Sequence, residues 1–120
     1  MYVAIVTWDL SRSSQTVESL RDYLDDYAVD AFTGLAGMRV KLWFSNAARQ
    51  VWGAVYVWES LAAADPTRLP SRAVELIGYP PTAVSVFALE AVAAGSDWPA
   101  LVAAGLAGRS APGDAGPAPG

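Results

Sequence analysis

The sequence predicts an α+β domain with the element order β-α-β-β-α-β. Three observations lead to it. Residues 38–58 read as a hairpin of two alternating strands, an amphipathic helical stretch separates that hairpin from an N-terminal strand, and a proline-broken helical stretch leads from it into a fourth strand. With 120 residues and 53% apolar content the chain is long enough for one domain with a real core.

Taking the elements in order, Tyr2 to Trp8 (YVAIVTW) is β-branched and aromatic and predicts the first strand. Asp9 to Ser14 is a polar connection. Ser13 or Ser14 is a candidate helix cap, with Glu18 in the first turn, where the helix dipole favours an anion. Val17, Leu20, Leu24, Tyr27, Ala28 and Ala31 recur at helical spacing, with Arg21, Asp22, Asp25 and Asp26 mostly on the other side, and Gly34 and Gly37 end the helix. Met38 to Ser45 and Gln50 to Trp58 are the hairpin strands, joined by a turn at Asn46 to Arg49. A second helical region starts at Ser60, is interrupted by Pro66 and Pro70, resumes over Ser71 to Ile77 and stops at Gly78. Tyr79-Pro80-Pro81 is an extended connector, and Thr82 to Val92 is the fourth strand. This order is the split βαβ, ferredoxin-like pattern. It places the domain at 1–95, a short C-terminal helix at 96–107 and a flexible Gly/Pro/Ala tail at 108–120.

Composition excludes several functions. There is no Cys and no His, which removes disulfides, thiolate nucleophiles, zinc thiolate sites, the Ser-His-Asp triad and the usual haem ligand. No carboxylate cluster suggests a metal, and no Gly-rich phosphate loop suggests a nucleotide cofactor, so the expectation is no cofactor and no metal. Net charge is −4 and the eight basic residues are scattered, which argues against nucleic acid. No apolar run is long enough to span a bilayer and no basic segment opens the chain, so the expectation is a cytoplasmic protein without a membrane partner.

Side chains alternate across a strand. A two-residue turn at Ala47-Ala48 would set Trp43 opposite Trp52, Lys41 opposite Ala54 and Arg39 opposite Tyr56, with Trp58 extending the same aromatic and cationic face. The other face, Val40, Leu42, Phe44, Val51, Val55 and Val57, is uniformly apolar and suits packing under the two helices. Cations on an inner sheet face need compensation. Arg39 and Lys41 either pair with carboxylates across a dimer interface, or sit in a cavity that binds an anionic or phenolic ligand, or belong to a face that is simply wet. Lys41 stands out as the only lysine in a chain that otherwise uses arginine. On the ligand reading, Lys41 and Tyr56 are the candidate catalytic groups, able to stabilise an oxyanion, and Arg39, Trp43, Trp52 and Trp58 are candidate substrate-binding residues. The alternative for the rings is ordinary core packing. Asp9, Arg12, Asn46, Gln50, Glu59 and Ser60 read as turn, cap or solvated loop residues.

The hairpin also carries a resemblance. K-L-W at 41–43 followed by G-A-V-Y-V-W-E-S at 53–60, with Glu75 to Phe87 (ELIGYPPTAVSVF), resembles the YdhR-type family of proposed monooxygenases over residues 1–95. The chain departs from that pattern at Ala54, where the family has a second glycine, and in the two prolines of the second helix. The resemblance implies a dimeric α/β barrel, a group that includes cofactor-free oxygenases of aromatic polyketides, lactone isomerases and haem-degrading enzymes; the last rely on His, absent here. It points to a homodimer acting in secondary metabolism on a small apolar or aromatic substrate. Three functions stay open: a cofactor-independent monooxygenase, a cyclase or isomerase using the same pocket, and a non-catalytic ligand-binding accessory protein. Oxygen uptake separates the first from the second, and turnover of any kind separates both from the third.

Overall fold

The structure, a computed structural model, describes residues 1–104. Its compact unit is Met1–Glu90. Four strands, β1 (Tyr2–Asp9), β2 (Met38–Asn46), β3 (Val51–Trp58) and β4 (Ala83–Ala88), form one sheet in the order β2-β3-β1-β4 with every neighbouring pair antiparallel. That order is the ferredoxin-like α+β fold. Between β1 and β2 run a 3-10 turn (Leu10–Arg12), helix α1 (Val17–Tyr23), a π turn (Leu24–Ala28) and helix α2 (Val29–Phe32). Between β3 and β4 the prolines leave only two 3-10 turns, Ala62–Ala64 and Pro66–Arg68, before helix α3 (Ala73–Ile77). Beyond that unit, the described residues 91–104 contain helix α4 (Trp98–Ala104). The predicted tail at 108–120 lies outside the described residues.

Local chemistry accounts for most boundaries. The helix opens at Thr16, not at Ser13 or Ser14: Thr16 Oγ1 accepts from Ser19 N at 3.1 Å and Ser19 Oγ accepts from Thr16 N at 2.8 Å, a reciprocal cap. Ser13 is occupied elsewhere, donating to Ile77 O at 2.7 Å and accepting from Gln15 N at 3.0 Å. Gln50, in the hairpin turn, adds a second tether by accepting from the otherwise unpaired Val17 N at 2.9 Å. The π turn moves the buried stripe from Leu20 and Tyr23 to Ala28 and Phe32, a five-residue step between Tyr23 and Ala28. β4 stops at Ala88, short of the expected Val92, because its partner β1 ends there: Tyr2 faces Ala88.

The hairpin turn takes four residues, 47–50, with Gln50 at φ 51°. Register is therefore offset by two from the two-residue-turn expectation: Lys41 faces Tyr56, Trp43 faces Ala54 and Ser45 faces Trp52. A two-residue offset changes partners but not faces, so Lys41, Trp43, Trp52, Ala54, Tyr56 and Trp58 still share one face.

Which face is covered is the reverse of the expectation. The helices lie on the aromatic face: Trp8, Trp52, Ala54, Tyr56 and Trp58 are buried against Val17, Leu20, Tyr23, Ala28, Phe32, Ala73 and Ile77. Leu42 and Phe44, on the aliphatic face, are 45% and 38% exposed. Ring area decides this. Each Trp or Tyr removes ~150–250 Å² from water, more than the Val and Leu opposite can offer, so covering the aromatic face yields the larger hydrophobic gain.

Gly53 sits under the Phe44 ring on the aliphatic face. A Cβ there would meet Val6 O at 2.6 Å as well as the ring. The ring can move but the carbonyl of a central strand cannot, so Gly53→Ala is expected to cost ~1–3 kcal/mol, read as a lower denaturant midpoint at unchanged slope.

Candidate active site

Lys41 reaches from β2 toward the helix layer, and its Nζ is enclosed by three rings. It lies 3.5 Å from the Phe32 ring centroid, 4.3 Å from Tyr56 and 4.4 Å from Trp43. The rings brace one another edge to face, with Phe32–Trp43 at 5.7 Å and Phe32–Tyr56 at 6.1 Å, while Trp58 stacks behind Tyr56 at 5.1 Å. Sequence separation hides this cage. Phe32 comes from α2, and only the π turn brings it into phase with the sheet.

The ammonium has neither a carboxylate within ion-pair distance nor a hydrogen-bond acceptor among the described residues. Loss of water pushes Lys41 down from 10.5 to about 7. The ring faces act the other way, since their negative quadrupoles favour the charged form. Tyr56, buried and without a hydrogen-bond partner for its hydroxyl among the described residues, is pushed up by the same desolvation and then by Tyr23. Burial thus lowers Lys41 and raises Tyr56, shifts that favour the neutral form of each.

Both groups line a recess between the sheet and the helix layer, together with Trp8, Tyr23, Trp43, Trp52 and the roof residues Ser71 and Ala73. It spans about 230 Å³ including its open mouth, but the enclosed part holds no more than about one water. A small-molecule site needs at least ~300 Å³, so a ligand must widen the recess. The roof belongs to the proline-broken segment, and phenols hold it: Tyr27 Oη donates to Pro70 O at 2.8 Å and Tyr23 Oη accepts from Arg72 N at 3.0 Å. Tyr23 and Tyr27, stacked at 5.9 Å, and Phe32 were not assigned to the site from sequence; for the tyrosines, the four-residue spacing on a helix was the available signal.

Of the residues singled out from sequence, Lys41, Trp43, Trp52 and Tyr56 come together at the recess. Arg39 does not. A bulge between Met38 and Val40 turns it outward, and its Nη1 pairs with Glu59 Oε1 at 3.2 Å, both side chains 56% exposed. Trp58 is buried behind Tyr56 and does not line the recess. Exposed pairs contribute little because water screens them. Arg39→Ala is therefore expected to leave the binding of any recess ligand, measured by calorimetry, within about twofold of wild type and stability within ~0.5 kcal/mol.

No carboxylate cluster that could hold a metal occurs among the described residues, and no described helix is long and apolar enough to cross a membrane. No protein-family model and no curated protein matches the chain. Among solved structures, it is similar to one from Deinococcus radiodurans that carries the provisional name antibiotic biosynthesis monooxygenase, at 19% identity and a TM-score of 0.50, with 80% of this chain and 97% of that one covered. At that identity the likeness shows a shared ferredoxin-like α+β fold, in a backbone frame also found in a protein provisionally assigned to oxygen chemistry.

Proposed function

We propose that this chain is a cofactor-independent monooxygenase of small, acidic aromatic molecules such as anthrones or phenols, with Lys41 and Tyr56 as its catalytic groups. The observation that supports it is a lysine amine among three aromatic rings, with no ion-pair partner among the described residues, next to a Tyr56 hydroxyl that also has none there. A neutral Lys41 amine takes the acidic proton of the substrate. The resulting ammonium and the Tyr56 hydroxyl then stabilise the oxyanion, contacts that strengthen as the bound ring displaces water from the recess. Trp43 and Trp52 supply ring faces for the substrate. The electron-rich anion passes an electron to O2, and collapse to a hydroperoxide followed by loss of water gives the quinone. For an anthrone the balance is one anthrone and one O2 to one anthraquinone and one water. The provisional name of the Deinococcus radiodurans protein agrees with this class of chemistry.

The test is an oxygen electrode with an anthrone substrate. Uptake of one O2 per quinone formed, well above spontaneous oxidation, supports the reading. Quinone formation at the background rate overturns it, and substrate cyclised or isomerised without oxygen uptake would favour the non-redox alternative.

The same reading includes a homodimer built through the aliphatic face. Val3, Ile5, Leu42, Phe44, Val55 and Phe87 share that face by register, and among the described residues the charges nearest it lie at its margins, Asp9 at the end of β1 and the Arg39–Glu59 pair beside the β2 bulge. Leu42, Phe44 and Phe87 are exposed, the last at 57%. An apolar face with charges only at its margins suits a twofold pairing with a second copy of itself.

A further inference from the structure

We propose that Lys41 is also an imine-forming nucleophile, whose amine, enclosed by Phe32, Trp43 and Tyr56 with no acceptor against it, condenses with the carbonyl of a small aromatic aldehyde or ketone admitted to the recess. The inference rests on the recess being the ligand site, not on oxygen chemistry. A lysine held by a carboxylate is locked as an ammonium and cannot attack. This one lies 3.5–4.4 Å from three ring centroids, and among the described residues the other titratable groups lining the recess are the phenols of Tyr23, from α1, and Tyr56, from β3. No carboxylate among the described residues lines it. Desolvation in an apolar setting is a recognised way to activate a lysine amine, and burial lowers Lys41 in that direction.

The step balances simply. The Nζ lone pair forms the C–N bond, the carbonyl oxygen takes up a proton to give a carbinolamine, and water leaves as the C=N bond forms. Nothing is oxidised or reduced. The Tyr56 hydroxyl is the donor at hand for the oxygen. Specificity follows from the walls. Trp8, Trp43, Trp52 and Tyr23 favour a ring on the carbonyl carbon, and no second cation lines the recess to hold a carboxylate, so an aromatic aldehyde should be preferred to an anionic one such as glyoxylate.

Lys41 is the only lysine of the 120 residues, and in a protein prepared as these residues the α-amine of the exposed Met1 is the competing amine. The experiment is incubation of the whole protein, without oxygen, with benzaldehyde or glyoxylate plus cyanoborohydride at pH 6.5, followed by peptide mass mapping. An ordinary lysine is protonated ~10⁴-fold at that pH and an α-amine only ~20-fold, so an ordinary Lys41 would be labelled far less than Met1. The proposal expects Lys41 to be benzylated at least as fast as Met1, and faster by benzaldehyde than by glyoxylate. Label confined to Met1 would overturn it, as would equal labelling of Lys41 by the two aldehydes. Failure of oxygen uptake with an anthrone would leave this result untouched, and the reverse also holds, so the two readings fail separately.

Discussion

Replacing Lys41 with methionine is expected to lower turnover ~100–1,000-fold, the usual loss when an oxyanion partner is removed, while making the fold more stable near neutral pH. Methionine fills a similar shape and suits an aromatic cage, but it carries no charge to desolvate. The sign of the pH effect follows from the low folded value. Below about 7 both folded and unfolded chains bind the Lys41 proton, and the full burial penalty is present. Between about 7 and 10.5 the unfolded chain still binds the proton that the folded chain has released, so wild-type stability rises with pH. The variant should therefore be more stable by ~1–3 kcal/mol at pH 6, since the ring faces offset part of the desolvation, and this advantage should shrink to nothing by about pH 10.5. Denaturant melts of both proteins at pH 6 and pH 9 measure the difference. A variant that is less stable at both, with activity retained, would make Lys41 a packing residue only.

Placing a charge on the bare side of the sheet should have a comparably large effect. Leu42→Glu puts a carboxylate on the aliphatic face near the exposed Phe44. In the monomer the new side chain is half in water and costs little, within ~0.5 kcal/mol. In a dimer joined through this face, two such carboxylates would be buried without partners, each costing several kcal/mol. Sedimentation at micromolar concentration is expected to show wild type as a dimer and the variant as a folded monomer. A monomeric wild type would remove the barrel assembly from the account.

The sequence made the hairpin and its face-sharing residues legible because alternation survives a two-residue error in turn length. Lys41, Trp43 and Tyr56 were therefore grouped correctly even though their cross-strand partners were not. Which face the helices cover was not legible, since both faces are apolar and helix–sheet contacts are long-range. Arg39 was misplaced because a bulge breaks parity, and nothing in M-R-V-K marks one. Phe32 was missed because a regular 3.6-residue period puts it out of phase, and only the five-residue step from Tyr23 to Ala28 brings it round to the lysine. The prolines at 66 and 70 did announce a broken second helix, and the recess roof is built from that break.

Lys41 is the only lysine of the sequence, which permits a direct measurement of its titration among the three rings. Protein labelled with 13C at the lysine ε-carbon gives a single ε-CH2 resonance, which can be followed by NMR from pH 5 to pH 11. The account predicts one ring-shifted signal, moved upfield by Phe32, Trp43 and Tyr56, with its titration midpoint far below 10.5 and near 7. A signal at the position of a free lysine, titrating at 10 or above, would contradict it.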